Sequence, residues 1–345
     1  MFHQNKLQQA TRSLSDTRVQ LGIISGEHAM TAGNMSAIIV EGGAMRGIFA
    51  SGVLDAFIES NYLPFDFAIG VSAGATTLLS YLSGQTRRSY HIITELACSS
   101  QFLDPLRFAR GGDLVDIDWL WRTSCHRFPL DLDTLRERAI PFYAVTTDVE
   151  TGRAAYQPVH HDNMDEVLKA TCALPVVQHD TPCVEGRPMA DGGLSDSIPV
   201  IEAYRRGARQ LTVILSEPWG YRKKPVRFCW MVRTLLKTRP ALANAMLMRA
   251  DSYNRALDFI ANPPADCIIE VIAPPGDFAV SRFTKDPAKL DAGYLQGYWQ
   301  GRQSLLRARR ERQRGPLNPK WSLKCQCGEY RFPLTRDVTS LDVVE

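Results

Sequence analysis

Five residues, Phe67-Ala68-Ile69-Gly70-Val71, run without a polar side chain into Ser72, and from Ala73 onward small and apolar residues continue to Leu82 in a helix-like stretch. A short apolar run without alternation suits a strand buried on both faces. The same order occurs just upstream, where Ala37-Ile38-Ile39-Val40 ends in Glu41-Gly42-Gly43 and is followed by Ile48, Val53, Leu54, Phe57 and Ile58 near helical spacing. Strand, helix, strand, sharp turn, helix predicts parallel strands joined by right-handed crossovers, with the ligand site at their carboxyl ends.

Further strands are expected over residues 142–146, 211–215 and 267–272, and helices over 86–98, 131–139, 162–172, 198–206, 228–260 and 286–312. The expected fold class is therefore α/β: a three-layer α/β/α architecture with a mainly parallel central sheet and a helical C-terminal region. Residues 1–35 read as an N-terminal extension and 36–215 as the catalytic core. Residues 216–345 read as an elaboration of the same domain with a basic C-terminal segment, because no long Gly/Ser linker separates them.

With 45% hydrophobic and 22% charged residues the chain has the balance of a globular protein. A formal charge of +3 is too small for the whole-molecule field of a dedicated nucleic-acid binder, so no nucleic acid is expected. The first 35 residues lack the apolar core of an export signal, and no run of about 18 uncharged apolar residues suggests a spanning helix. A cytoplasmic enzyme is expected, at most peripheral at the inner face of the membrane. The eight cysteines have no repeating spacing, and Cys325-x-Cys327 has no downstream His to complete a zinc quartet; reduced thiols and no metal are expected.

Three loops carry the candidate chemistry. Gly70-Val71-Ser72-Ala73-Gly74 has the Gly-x-Ser-x-Gly form, in which small neighbours allow a strained turn that exposes a serine hydroxyl at the tip of a sheet. Glu41-Gly42-Gly43-Ala44-Met45-Arg46-Gly47 matches neither the dinucleotide nor the Walker pattern, but its backbone N–H groups suit an oxyanion. Asp191-Gly192-Gly193 reads as a hairpin turn or, because Ser195-Asp196-Ser197-Ile198-Pro199 resembles a helix start, as a functional Asp on a loop. All seven histidines precede Asp191, so the order Ser, acid, His of an ordinary α/β-hydrolase cannot be completed after it. A triad of Ser72 with Asp148 and His160, His161 or His179 stays open beside a Ser72–Asp191 dyad.

Together these loops resemble the patatin-like phospholipase family, which combines an Asp-Gly-Gly-Gly-x-Arg-Gly loop, a Gly-x-Ser-x-Gly elbow and an Asp-Gly-Gly/Ala motif. Ala170-Thr171-Cys172-Ala173-Leu174-Pro175 is similar to the family's segment ahead of the last motif. The likeness covers about residues 36 to 215. It implies a Ser72–Asp191 dyad without a histidine and an oxyanion hole from Gly42, Gly43 and Ala44. It further implies an Arg46 that braces the loop or meets substrate, a lipid or ester substrate, and no metal or organic cofactor. Two residues depart from the family pattern: Glu41 stands in place of Asp, and Ala44 in place of the third Gly, where a Cβ disfavours positive φ.

Between Glu217 and Asp251 there is no acidic residue, and Arg222, Lys223, Lys224, Arg227, Arg233, Lys237, Arg239 and Arg249 are interleaved with Trp219, Tyr221, Phe228 and Trp230. Residues 219–239 are either a peripheral membrane contact or a helix that packs its apolar face on the core and leaves a solvated basic side. A second basic run, from Arg302 to Arg314, reads as a solvated helix end. The functional readings are a lipid acyl hydrolase, a general carboxylesterase or acyltransferase with the same dyad, or a non-catalytic lipid-binding protein; the oligomeric state is not encoded in any motif.

Overall fold

In the computed structural model, residues 34–175, 177–178 and 181–314 are described. The expected extension, apart from its last two residues, and the Cys325-x-Cys327 pair lie outside them, as does His179. The elements follow as β1 (Met35–Val40), α1 (Gly47–Glu59), β2 (Phe67–Val71), α2 (Ala73–Leu82) and α3 (Arg88–His91), which continues as a π-helical turn over Ile92–Ala97. Next come α4 (Pro105–Ala109), α5 (Ile117–Arg127), α6 (Leu132–Arg138), β3 (Phe142–Asp148), β4 (Ala154–Pro158) and α7 (Met164–Cys172). The remainder is β5 (Cys183–Val184), β6 (Arg187–Asp191), α8 (Val200–Arg205), β7 (Ala208–Ile214), α9 (Cys229–Leu235), α10 (Pro240–Ala261), β8 (Ile268–Ile272) and α11 (Pro287–Arg314).

The strands form one sheet in the order β5-β6-β3-β2-β1-β7-β8, with β4 also paired to β3. From β3 to β8 neighbouring strands are parallel; β4 and β6 pair antiparallel with β3, and β5 pairs antiparallel with β6. Side chains of β1 alternate between two cores: Ile38 and Val40 pack with α1, α2 and α7 residues, whereas Ala37 and Ile39 pack with α8 and α10 residues such as Ala203, Leu257 and Ile260. Period-two alternation in a strand buried on both sides is what a three-layer α/β/α sandwich requires.

The expected helix over 228–260 is two helices. Leu236 to Arg239 interrupt it, and Pro240 opens α10 at its first turn, where a missing N–H costs nothing. The hairpin of β5 and β6 and helices α4 and α5 were not anticipated: β5 has two residues and α4 five, too few for a readable period, and α5 buries only Ile117, Trp121 and Ser124.

One strand positions the site. Along β3, β4 occupies one edge from Tyr143 to Thr147. On the other edge β2 pairs in parallel up to Val145↔Val71, and β6 takes over antiparallel at Thr146↔Asp191. The residue after β2 is Ser72 and the last residue of β6 is Asp191, so two strands arriving from opposite directions end against each other.

Candidate active site

Ser72 sits between β2 and α2 with φ 52 and ψ −125, a region that residues with a Cβ rarely occupy. The turn holds because its surroundings leave room for nothing larger. A Cβ at Gly70 would stand 2.5 Å from Ala75 Cα, and one at Gly74 would collide with the carbonyl oxygen of Val40. The backbone N–H of Ser72 donates to Thr171 Oγ1 at 2.9 Å, and Thr171 passes its own proton to the Val145 carbonyl at 2.5 Å. Thr171 thereby ties the elbow to β3 through the end of α7.

Asp191 is 4% exposed. Its N–H donates to Ala173 O at 2.7 Å, its carbonyl accepts from Thr147 Oγ1 at 2.8 Å, and its carboxylate accepts from Gly193 N at 2.7 Å and faces the Ser72 hydroxyl. Burial pushes the carboxyl above the ordinary carboxylate range; Arg249, the Ser72 and Gly193 hydrogen bonds and Arg282 pull it back in part. Cys172 also touches Ser72, but burial and the Asp191 charge push its thiol up to about 12. It is a neutral neighbour at physiological pH and a poor nucleophile.

The Glu41–Arg46 loop lies against the elbow. A Cβ on Gly42 would fall 2.7 Å from Val71 O and 3.1 Å from Ser72 Cβ, so only glycine permits this approach. Among the described residues the N–H groups of Gly42 and Gly43 have no hydrogen-bond acceptor. Ala44 adopts φ 51, so the residue that stands where the family pattern has glycine does occupy the left-handed region. Arg46 is turned inward: it is 6% exposed, pairs with Glu217 and donates to Ser216 Oγ at 3.0 Å. Ser216 Oγ in turn donates to Gly42 O at 3.2 Å, and Ser216 N donates to Glu41 Oε2 at 2.8 Å. The extra methylene of Glu41 thus reaches the chain leaving β7, and Tyr253 also donates to it. Of the two roles open to Arg46, these contacts are those of a brace.

Among the described residues the histidine-containing alternative is not assembled; its third candidate, His179, lies outside them. Asp148 accepts from the turn N–H groups of Glu150 and Thr151 and pairs with Arg187 at 2.7 Å. His160 and His161 are exposed, and His161 Nδ1 contacts Asp162. Among the described residues no cluster of three or more His, Cys, Asp or Glu is placed to hold a metal.

A family model described as patatin-like phospholipase matches residues 38–204. The uncharacterized protein YjjU of Escherichia coli (strain K12) is 36% identical over 243 residues, 69% of this chain and 68% of that protein. The chain belongs to the patatin-like phospholipase family. Membership in the patatin-like phospholipases makes it, in general terms, a lipid acyl hydrolase. A second model, a domain of unknown function (DUF6363), matches residues 239–310, which in this patatin-like chain cover α10, β8 and most of α11. Among solved structures, VipD from Legionella pneumophila aligns with a TM-score of 0.46 at 15% identity, over 80% of this chain and 67% of that one.

Three groups around the patatin-like site were not assigned to it from the sequence, although Lys223 and Arg249 belong to the basic run noted there. Thr171 falls inside the quoted 170–175 segment, yet nothing in its local sequence announces a bond to Ser72. Arg249 on α10 and Lys223 in the loop after β7 are remote in sequence, and only the folded arrangement brings their charges to bear on Asp191 and Glu41.

Proposed function

We propose that the protein hydrolyses the acyl ester of a lipid through Ser72 and Asp191, by way of an acyl-enzyme. The observation that carries this reading is the pairing of Ser72, held at positive φ, with a buried carboxylate that its hydroxyl helps to stabilise and that burial raises above its usual range. A raised carboxyl is a better base than an ordinary one. Ser72 Oγ attacks the ester carbonyl while Asp191 takes its proton; the proton then passes to the departing alcohol, and the same carboxylate activates water to release the acid. The uncommitted N–H groups of Gly42 and Gly43, with that of Ala44 at the start of its turn, would receive the oxyanion, at about 3 kcal/mol of transition-state stabilisation per donor. Labelling with a fluorophosphonate tests the nucleophile: wild type should react and Ser72→Ala should not. Equal labelling of the two would end the assignment.

We also read residues 219–239 as the face that meets the membrane. Supporting this, α9 buries only Val232, while Trp230 is 68% and Leu235 56% exposed beside Arg227, Arg233 and Lys237. A helix packed apolar side inward would hide these groups; one that rests on an anionic interface would present them. No described helix is long and apolar enough to cross a membrane.

A further inference from the structure

The charges around the dyad do not balance. Arg46 is paired with Glu217. The carboxylates of Glu41 and Asp191 accept hydrogen bonds from Ser216 N and Gly193 N, and the hydroxyls of Tyr253 and Ser72 lie near them. Three further cations converge on the same place from three separate segments: Lys223 from the loop after β7, Arg249 from α10, and Arg282 from the stretch between β8 and α11. Each is partly or largely withdrawn from water. Among the described residues none of the three makes an ion pair within 4.0 Å, and the buried Nε of Arg249 has no acceptor at all.

The placement of Arg249 and Lys223 is built, not accidental to flexible side chains, and Arg282 is close enough for its charge to act on both. A Cβ on Gly193 would lie 2.9 Å from Asp191 Oδ1 and 3.4 Å from an Arg249 terminal nitrogen, which puts the guanidinium beside the carboxylate. Arg249 and Tyr253 are one helical turn apart on the same face of α10. Lys223 Nζ lies 4.1 Å from the centre of the Tyr253 ring. The Lys223 backbone is clamped to α10 by reciprocal bonds with Asn254, at 2.9 and 3.0 Å. Burial, and after it the charges of Arg249 and Arg282, push the Lys223 ammonium down to about 7; burial and then Arg282 likewise lower Arg249. Holding unpaired like charges together away from water is unfavourable unless an anion joins them. Beside the cations in sequence, Met248 and Phe283 are 47% and 65% exposed, so apolar surface flanks the charge.

We propose that Lys223, Arg249 and Arg282 form a site for the phosphate of an anionic glycerolipid, one whose head group carries no cation of its own, next to Ser72. The inference rests on the acyl-hydrolase reading and adds the substrate class. A zwitterionic head group would bring a second positive charge to a place already rich in them, whereas a phosphomonoester supplies the missing anion. Guanidinium groups suit such a ligand because their donors meet phosphate oxygens in pairs. All three residues lie beyond residue 204, outside the stretch matched by the patatin-like model.

The test uses the full chain and short-chain substrates held below their micelle concentration, so that no aggregate surface attracts the basic face around α9. Initial rates would be compared for a phosphatidic acid, a phosphatidylcholine with the same acyl chains, and an uncharged p-nitrophenyl ester. Wild type should prefer phosphatidic acid over phosphatidylcholine by roughly tenfold or more in kcat/KM, the scale of one charge-assisted contact. Arg282→Gln should cut that ratio to near one, and Arg282→Lys should restore most of it. Arg249→Gln should lower the ratio as well, along with a general loss that reflects its proximity to Asp191. If wild type cleaves the uncharged ester but shows no preference between the two phospholipids, the head-group site is wrong and the hydrolase reading stands. Equal losses on all three substrates in Arg282→Gln would also overturn it, since the cations would then serve only Asp191 or the oxyanion. If no substrate is cleaved and Ser72 does not label, the hydrolase reading itself has failed.

Discussion

The N–H of Ser72 donates to the side chain of Thr171, 99 residues away in sequence, so the strained elbow is anchored from outside its own turn. Thr171→Ser keeps the hydroxyl and should leave activity within a few-fold of wild type. Thr171→Val should strand both the Ser72 N–H and the Val145 carbonyl, at about 1 to 3 kcal/mol in stability. It should also lower kcat roughly 10- to 100-fold through misplacement of the nucleophile. Steady-state kinetics with thermal unfolding would check both, and a fully active Thr171→Val would remove the anchor from the account.

Ala44 holds φ 51 with a Cβ, which costs about 1 kcal/mol. Ala44→Gly relieves that strain while adding chain entropy to the unfolded state, so it should lie within about 0.5 kcal/mol of wild type. Ala44→Val, branched at a position where even Ala is strained, should destabilise by at least about 1 kcal/mol and slow turnover. Denaturant titration of the pair decides; equal stabilities for Gly and Val would show that the left-handed backbone is not the constraint.

Asp191→Asn should remove general-base catalysis, at a cost of about 10²- to 10⁴-fold in kcat, and yet stabilise the fold near neutral pH. The carboxyl is raised in the folded state, so between its unfolded value and its folded value the native protein holds the extra proton, and stability falls as pH rises. Asn has no charge to bury. Its melting temperature should exceed that of wild type at pH 7 and converge with it in acid.

Asp55 offers the same test away from the chemistry. Burial between α1 and α11 lifts its pKa from 3.8 to about 6, and the same oxygen, Oδ2, accepts from Tyr294 at 2.8 Å and Arg87 N at 3.0 Å. Below pH 3.8 the group is protonated in both states; as pH rises through about 6 the folded state comes to bear a buried charge, at about 3 kcal/mol. Asp55→Asn can present one carbonyl to both donors. It should be more stable than wild type at pH 8 and should lose that advantage below about pH 4, as read from unfolding curves across the range.

Phe228 and Trp230 test the membrane face. Replacing both with Ser should weaken binding to anionic vesicles several-fold and leave cleavage of a monomeric ester as it was, because α9 contributes no group to the Ser72 site. Sedimentation with vesicles gives the answer, and undiminished binding would return α9 to the role of a surface helix.

Much of this arrangement was legible in the sequence wherever a local pattern forces a local structure. The apolar runs 37–40 and 67–71 are strands, Ser72 stands at a strand-to-helix turn, and Gly42 and Gly43 open a loop beside it. Asp191 was marked by the glycines after it, but its position depends on β6, a five-residue strand containing Pro188 that carries no alternation to read. The roles of Thr171, Arg249 and Lys223 at this site were not legible for a related reason: each acts across tens to more than a hundred residues, and its relevance exists only once the sheet has set the register. The break between α9 and α10 was written in Pro240 and the polar Lys237-Thr238-Arg239 before it, but the apolar residues recurring on both sides suggested one continuous helix.

The change of partner along β3 has a consequence for how such a site fails. Val145 answers to Val71 and Thr146 to Asp191, so nucleophile and base are set by counting along one strand. A slip of one residue between β6 and β3 would keep the strands paired and the core nearly intact while turning the Asp191 side chain to the opposite face of the sheet. Errors in this hairpin should therefore yield well-folded, inert protein, and stability would be a poor guide to how many molecules in a preparation can work.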